Sequence, residues 1–312
     1  MTGYEALRSA AAWIDLTDRG KIRLTGEDRA RLLHALTTNS IQDLAAGHGR
    51  YAFFLNDKGR ILGDAYIYNF GESLLLDTEP ETAGKLLAHL DRYIIADDVT
   101  LDDETGKWAA IGLEGPASHR AALGLGISAP EEAYAVRESG EGFAANVAAA
   151  ARQGVRIFVP SDERNRLLEK LSAAGIEKAS AEEARLVRIE NGRPRYGEEI
   201  SERYLVQETQ ATHAVHFSKG CYLGQEIVER VRSRGQVHRL LSAIQIDGEN
   251  IPAAGTKLVA PDGAVLGEIA SAAYSPALGN VVGLAYVRAE ALNNKPEMMV
   301  ANSHPPVKVR VA

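Results

Sequence analysis

Cysteine occurs once in this 312-residue sequence, tryptophan twice and methionine three times, and aromatic residues make up only 6%. A single cysteine cannot form an internal disulfide, which fits a reducing compartment. No uninterrupted apolar run approaches the length needed to span a bilayer. The opening "MTGYEALRSAAAWIDLT" has no basic region followed by an apolar stretch, so we expect no secretory signal and a cytoplasmic location. The net charge is −7, which points away from broad nucleic-acid binding. There is no GxxxxGK[ST] loop, no GxGxxG after a strand, no HExxH and no GxSxG. Nucleotide hydrolysis, Rossmann dinucleotide binding, zincin proteolysis and α/β-hydrolase chemistry therefore lack a motif. His213 and His216 match no zinc spacing, and we expect no metal site.

What is present is a folded chain, 45% hydrophobic and long enough for two or three domains. Residues 21–24 read as a strand and the following stretch as a helix with Thr25 as cap. "RYAFFL" and "RILGDAYIYNF" read as strands joined by the turn "NDKG". "SLLLDT", "DDVTLDD", "KWAAIGLEG" and "VRIFVP" add strands, while "EPETAGKLLAHLDRYI" and "DERNRLLEKLSAAG" read as helices. Ser180 and Glu183 form a capping box for a helix reaching Asn191. After Gly235 short strands are separated by Gly, Pro and Asn, as in an antiparallel β domain. Strands and helices do not alternate as βαβ units, so the expected class is α+β. The expected domains are residues 1–233 and 234–312, with "RSRGQ" (232–236) as a polar, cleavable boundary.

Three positions stand out. Cys221 lies in "SKGCYLGQE", just before a helix start and beside Lys219. Both features would acidify a thiol, although a lone cysteine also serves as a small buried hydrophobe. Asp64 lies in "ILGDAYIY", where alternation puts it with Leu62, Tyr66 and Tyr68, opposite Gly63. Desolvation there would raise its pKa and suit proton exchange with a ligand nitrogen; the alternative is an aspartate at the sheet rim. Glu190 occupies the last turn of its helix, where the dipole disfavours a carboxylate. It is either a functional residue or a solvated one neutralised by Arg188 or Arg193.

Longer segments carry a resemblance. "WIDLTDRGKIRLTGEDRARLLHALTTNSI" resembles the opening of the glycine cleavage T-protein (aminomethyltransferase) superfamily. "LNDKGRILGDAYIY" resembles its N-x-x-G strand–turn–strand, with an aspartate eight residues after the asparagine, as Asp64 is after Asn56. "RIENGRPRYGEEI" resembles the segment whose glutamate reads the pterin, matched by Glu190. "KGCYLGQE" matches the K-G-C-[YF]-x-G-Q-E signature of the YgfZ-type folate-binding proteins, a group implicated in iron–sulfur cluster assembly or repair. The arginine-rich run that precedes this region in aminomethyltransferases is absent.

The resemblance implies a three-lobed α+β fold, two lobes forming a folate pocket and the third a C-terminal antiparallel β-barrel. It implies tetrahydrofolate, or a one-carbon derivative, bound by Asp64, Glu190, Asn56, Lys219 and Tyr222. Cys221 and Asp64 are the implied reactive residues, with Cys221 at the pocket mouth. Iron–sulfur assembly or client proteins are the implied partners. The alternatives are a folate-dependent aminomethyl or methyl transferase and a noncatalytic iron–sulfur scaffold.

Overall fold

The turn "NDKG" joins the strands Gly49–Leu55 and Ile61–Asn69 into a long antiparallel hairpin. In the computed structural model, which describes residues 1–235, 237–303 and 307–311, this hairpin edges a five-stranded sheet. Its order runs Gly49–Leu55, Ile61–Asn69, Leu74–Thr78, Gly20–Thr25 and Thr100–Asp103, every neighbouring pair antiparallel. A second sheet of six strands runs Glu177–Lys178, Ala12–Asp15, Trp108–Glu114, Gly154–Pro160, Gly142–Ala145 and Val136–Ser139.

Alternation along these strands gives each sheet two apolar faces, and each face finds a partner. The inner faces meet through Tyr68 and Leu75 of the first sheet and Ala110, Phe143 and Phe158 of the second. The outer face of the first sheet is covered by Leu32, Leu33, Leu36, Leu86 and Leu90, from the helices Arg29–Leu36 and Ala83–Asp91. Ala122, Leu167 and Leu171 cover the second in the same way, from the helices Ser118–Gly124 and Arg164–Ala173. Residues 1 to about 180 thus form a helix–sheet–sheet–helix sandwich.

The helix Ala181–Glu190, capped by the reciprocal Ser180–Glu183 pair, lies between this sandwich and the third lobe. That lobe is a closed six-stranded antiparallel barrel, with strands Arg239–Ile246, Asn280–Arg288, Val265–Ser275, Lys257–Val259, Met298–Val300 and Lys308–Val311. Ile189 packs on Ala273 and Val282, and Tyr204 stacks on Tyr286 at 3.8 Å between ring centroids. The α+β class and the terminal barrel are as expected.

Several local expectations need correction. Thr25 ends its strand, and the next helix begins after Asp28. The chain first turns at Gly26 (φ +98°), where a Cβ would meet the Asp98 carbonyl at 2.0 Å. The register slips between Phe54 and Leu55, leaving Leu62 unpaired as a bulge. It therefore packs on the helix-covered face rather than beside Asp64. At the domain boundary, Arg232 to Arg234 are the last turn of the helix Gln225–Arg234, and Gln236 of that stretch lies outside the described residues. Among the described residues no helix is long and apolar enough to cross a membrane.

Candidate functional site

Where the two sheets part lies an open cavity of about 1070 Å³, lined also by Lys178, Glu183, Arg193, Arg195, Ala211 and His213. Asp64 lines it and is only 6% exposed. Its strand presents it on the inner face with Tyr66 and Tyr68, while Gly63 turns outward against Leu86. From the neighbouring strand, the Tyr51 hydroxyl donates to Asp64 Oδ2 at 2.5 Å. That contact occupies one carboxyl oxygen and leaves Oδ1 for another partner. Burial, and then the nearby Glu79 carboxylate, push the Asp64 pKa up to about 7, against the pull of Tyr51, Arg19 and Arg195. Near neutral pH the group can therefore either give or take a proton.

Around Asp64 lies a network of buried charge. Arg19 donates through Nε to Asp77 at 2.6 Å and pairs with Glu79. Arg156 pairs with the other oxygen of Asp77. Arg195 reaches Glu79 at 3.0 Å and Glu81 at 2.6 Å. Burial works against the charge on Asp77, but Arg156 and Arg19 hold its carboxyl below the usual range. Glu79 is held low likewise by Arg19 and Arg195. Burial displaces Asp64 upward where Asp77 and Glu79 are held low, because no guanidinium pairs directly with Asp64 to offset it.

Aromatic surface completes the wall. Tyr66 lies under the Arg156 guanidinium at 5.0 Å and against Tyr134 at 5.8 Å. His213 stacks on Tyr51 at 5.5 Å and 25° between planes. Burial, then Arg193, lowers the His213 pKa, which keeps the ring neutral at physiological pH. The site thus offers flat apolar faces, one carboxyl poised to exchange a proton, and guanidinium groups. It suits a planar, nitrogen-rich heterocycle.

Glu190, Asn56, Lys219, Tyr222 and Cys221 lie elsewhere, and none of the five is among those lining the cavity. Glu190 accepts from the Tyr4 hydroxyl at 2.7 Å, from Arg8 Nη1 at 2.9 Å and from the Ser275 hydroxyl at 2.5 Å. Its neutralising arginine is Arg8, not Arg188 or Arg193. Arg188 serves Glu198 and Glu199, and Arg193 serves the carbonyls of Ala148 and Ala151. Glu190 therefore ties the first helix, its own helix and the barrel together.

Asn56 shapes the hairpin turn, its Oδ1 accepting the amides of Lys58 at 2.9 Å and Arg60 at 3.0 Å. Lys219 is buried, and its Nζ donates to the carbonyls of His34, Thr37 and Asn39 at 2.5–2.7 Å. It thereby satisfies the C-terminal end of the helix Arg29–Leu36. Tyr222 packs in a cluster with Ile200, Ala211 and Tyr51, three residues that line the cavity from the far side. Cys221 is exposed, which departs from the buried-hydrophobe alternative. It is not among the residues that line the cavity.

Sequence reasoning missed Tyr51, Glu79, Arg19, Arg156 and Arg195. Two of the network's members did leave a signal: Asp77 in "LLLDT" and Arg156 in "VRIFV" are single charges inside otherwise apolar strands. Strands buried on both faces tolerate such charges only when they are paired. Among the described residues, no group of three or more His, Cys, Asp or Glu side chains could hold a metal ion.

Residues 2–219 match the GCVT N-terminal domain, and residues 239–312 match the glycine cleavage T-protein C-terminal barrel domain. An aminomethyltransferase of Rubrobacter xylanophilus is 30% identical over 294 residues, covering 92% of this chain and 78% of that protein. One of Herpetosiphon aurantiacus is 26% identical over 315 residues, covering 99% and 87%. The crystal structure of glycine cleavage system aminomethyltransferase T from Bartonella henselae superposes with a TM-score of 0.90. It is 19% identical, with 99% of this chain and 87% of that one covered.

Proposed function

Since the chain belongs to the glycine cleavage T-protein family, we propose that it binds tetrahydrofolate or a one-carbon derivative in the cavity beside Asp64. We further propose that it serves iron–sulfur cluster assembly or repair in the cytoplasm, with Cys221 as its functional thiol. The observation that carries the first part is Asp64 itself, a buried carboxyl with a free oxygen among Tyr51, Tyr66 and Tyr134 at a cavity wall. A pterin edge carries N–H donors that a carboxylate accepts as charge-assisted bonds, and its ring stacks on aromatic faces. When bound, tetrahydrofolate would accept a one-carbon unit, and a one-carbon derivative would supply one, at N5 of the ring or N10 of the bridge. The chain's own residues bind and orient the ring, exclude water from it, and hold or move a proton at Asp64 Oδ1.

Of the residues first assigned to the ligand, we keep Asp64. Glu190, Asn56, Lys219 and Tyr222 are not among the residues that line the cavity. The "KGCYLGQE" resemblance supports the iron–sulfur part, and an exposed thiol outside the cavity suits a protein partner better than the bound ligand. A binding panel of folate one-carbon forms, followed by calorimetry, tests the reading. Wild type should bind at least one form, Asp64→Asn should bind it several-fold more weakly, and Cys221→Ser should bind it unchanged. The absence of any folate binding sinks the proposal. Turnover of a methylamine donor with free tetrahydrofolate would favour the transferase alternative. A partner iron–sulfur protein that binds and is assisted equally after Cys221→Ser would favour the scaffold.

A further inference from the structure

Arg156 stands in the middle of the strand Gly154–Pro160 and is fully buried. Two parts of its guanidinium have partners: Nη1 pairs with Asp77, and the flat face lies over Tyr66. Nε and Nη2 have none among the described residues, although Arg156 lines the cavity. In a guanidinium these two nitrogens share an edge and aim their N–H bonds in parallel, the fork that grips two adjacent acceptors. The group cannot shed its charge, and buried donors without acceptors are disfavoured. The Tyr66 ring supports the face of the group and does not satisfy its edge.

We propose that Arg156 is a ligand-reading residue, its free fork taking a pair of neighbouring acceptors on the heterocycle held beside Asp64. The inference rests on the folate reading and adds an orientation to it. In a reduced pterin the 4-oxo oxygen and the lone pair of N5 face one side, while the N3–H and 2-amino donors lie along another edge. Asp64 takes the donors and Arg156 takes the oxo side, so the site tells the two edges apart. A ring bearing an amino group in place of the oxo group would set a donor against the guanidinium donors.

Calorimetry on the full chain tests this with tetrahydrofolate and its 4-amino analogue, using wild type, Arg156→Lys and Asp64→Asn. Wild type should bind the oxo form at least tenfold more tightly than the amino form. Arg156→Lys keeps a cation for Asp77 but has no fork, and most of that preference should vanish while a thermal melt shows the fold intact. Asp64→Asn should weaken both ligands and leave their ratio near the wild-type value. If Arg156→Lys does not fold, the ratio on wild type and on Asp64→Asn still decides. Equal binding of the two forms by wild type, or a ratio that collapses in Asp64→Asn, overturns the role of Arg156 and leaves the folate reading standing. If neither form binds, both fall.

Discussion

The cavity wall and the block around Cys221 both bury polar groups, and they treat them in opposite ways. In the block, Lys219 and Asn56 are met from within, Lys219 Nζ by three carbonyls and Asn56 Oδ1 by two amides, although the buried His216 Nδ1 and Gln207 Oε1 have no partner among the described residues. At the cavity, Asp64 keeps one oxygen free and a pKa near 7, and Arg156 keeps an unmet fork. A satisfied polar cluster fixes a conformation; an unsatisfied one at a cavity wall is held ready for something else. By this measure Lys219 within the signature around the cysteine is framework, and the ligand chemistry we propose lies on strands such as Ile61–Asn69, which carries Asp64.

The contrast can be broken most strongly at Asp77. Asp77→Ala leaves the guanidinium groups of Arg19 and Arg156 buried without their shared carboxylate, and should cost about 3–5 kcal/mol in denaturant unfolding. A loss under 1 kcal/mol would mean that the network is solvated. Next comes the pH dependence of Asp64. Its carboxyl titrates near 4 when unfolded and near 7 when folded. Below pH 4 both states hold the proton and nothing changes. Between 4 and 7 the folded state holds more protons, so stability falls as pH rises, by about 2–4 kcal/mol in all. Asp64→Asn should remove that slope from stability measured across the range, and a slope that persists would place the titration elsewhere.

Lys219→Met tests the other side of the comparison. It strands three carbonyls and should cost about 2 kcal/mol without changing folate affinity. A large loss of affinity at unchanged stability would return Lys219 to the ligand. The smallest effect is expected at Cys221. Cys221→Ser should shift stability by no more than about 0.5 kcal/mol, and the thiol should be alkylated in the folded protein at the same rate with and without folate. Protection by folate would bring the thiol to the cavity after all.

Most strands were legible because alternating runs bounded by Gly, Pro or Asn are local signals. The barrel strand Met298–Val300 was not: three residues after a short helix carry too little pattern. Asp64 was found because a carboxylate among aromatics on one face can be read within a single strand. Its neighbours come from separate elements, Arg156 lying 79 positions after Asp77, and no local pattern joins them. The arginine that neutralises Glu190 was missed for the same reason, since it lies 182 positions away. The Leu62 bulge is a property of pairing between two strands, which no single-strand periodicity contains.

The hairpin tip and the cysteine loop are packed backbone to backbone. A Cβ on Gly224 would sit 2.7 Å from the Asn56 carbonyl oxygen, and one on Gly59 would sit 2.8 Å from Ile227 Cβ. In a lineage drifting under selection for folding alone, those glycines could not change, while the exposed sulfur of Cys221 could be exchanged for a hydroxyl or a methyl at almost no cost. Descendants that kept the glycines and lost the cysteine would have inherited the architecture without the chemistry. Descendants that kept both would show the thiol retained for what it does rather than for what it supports.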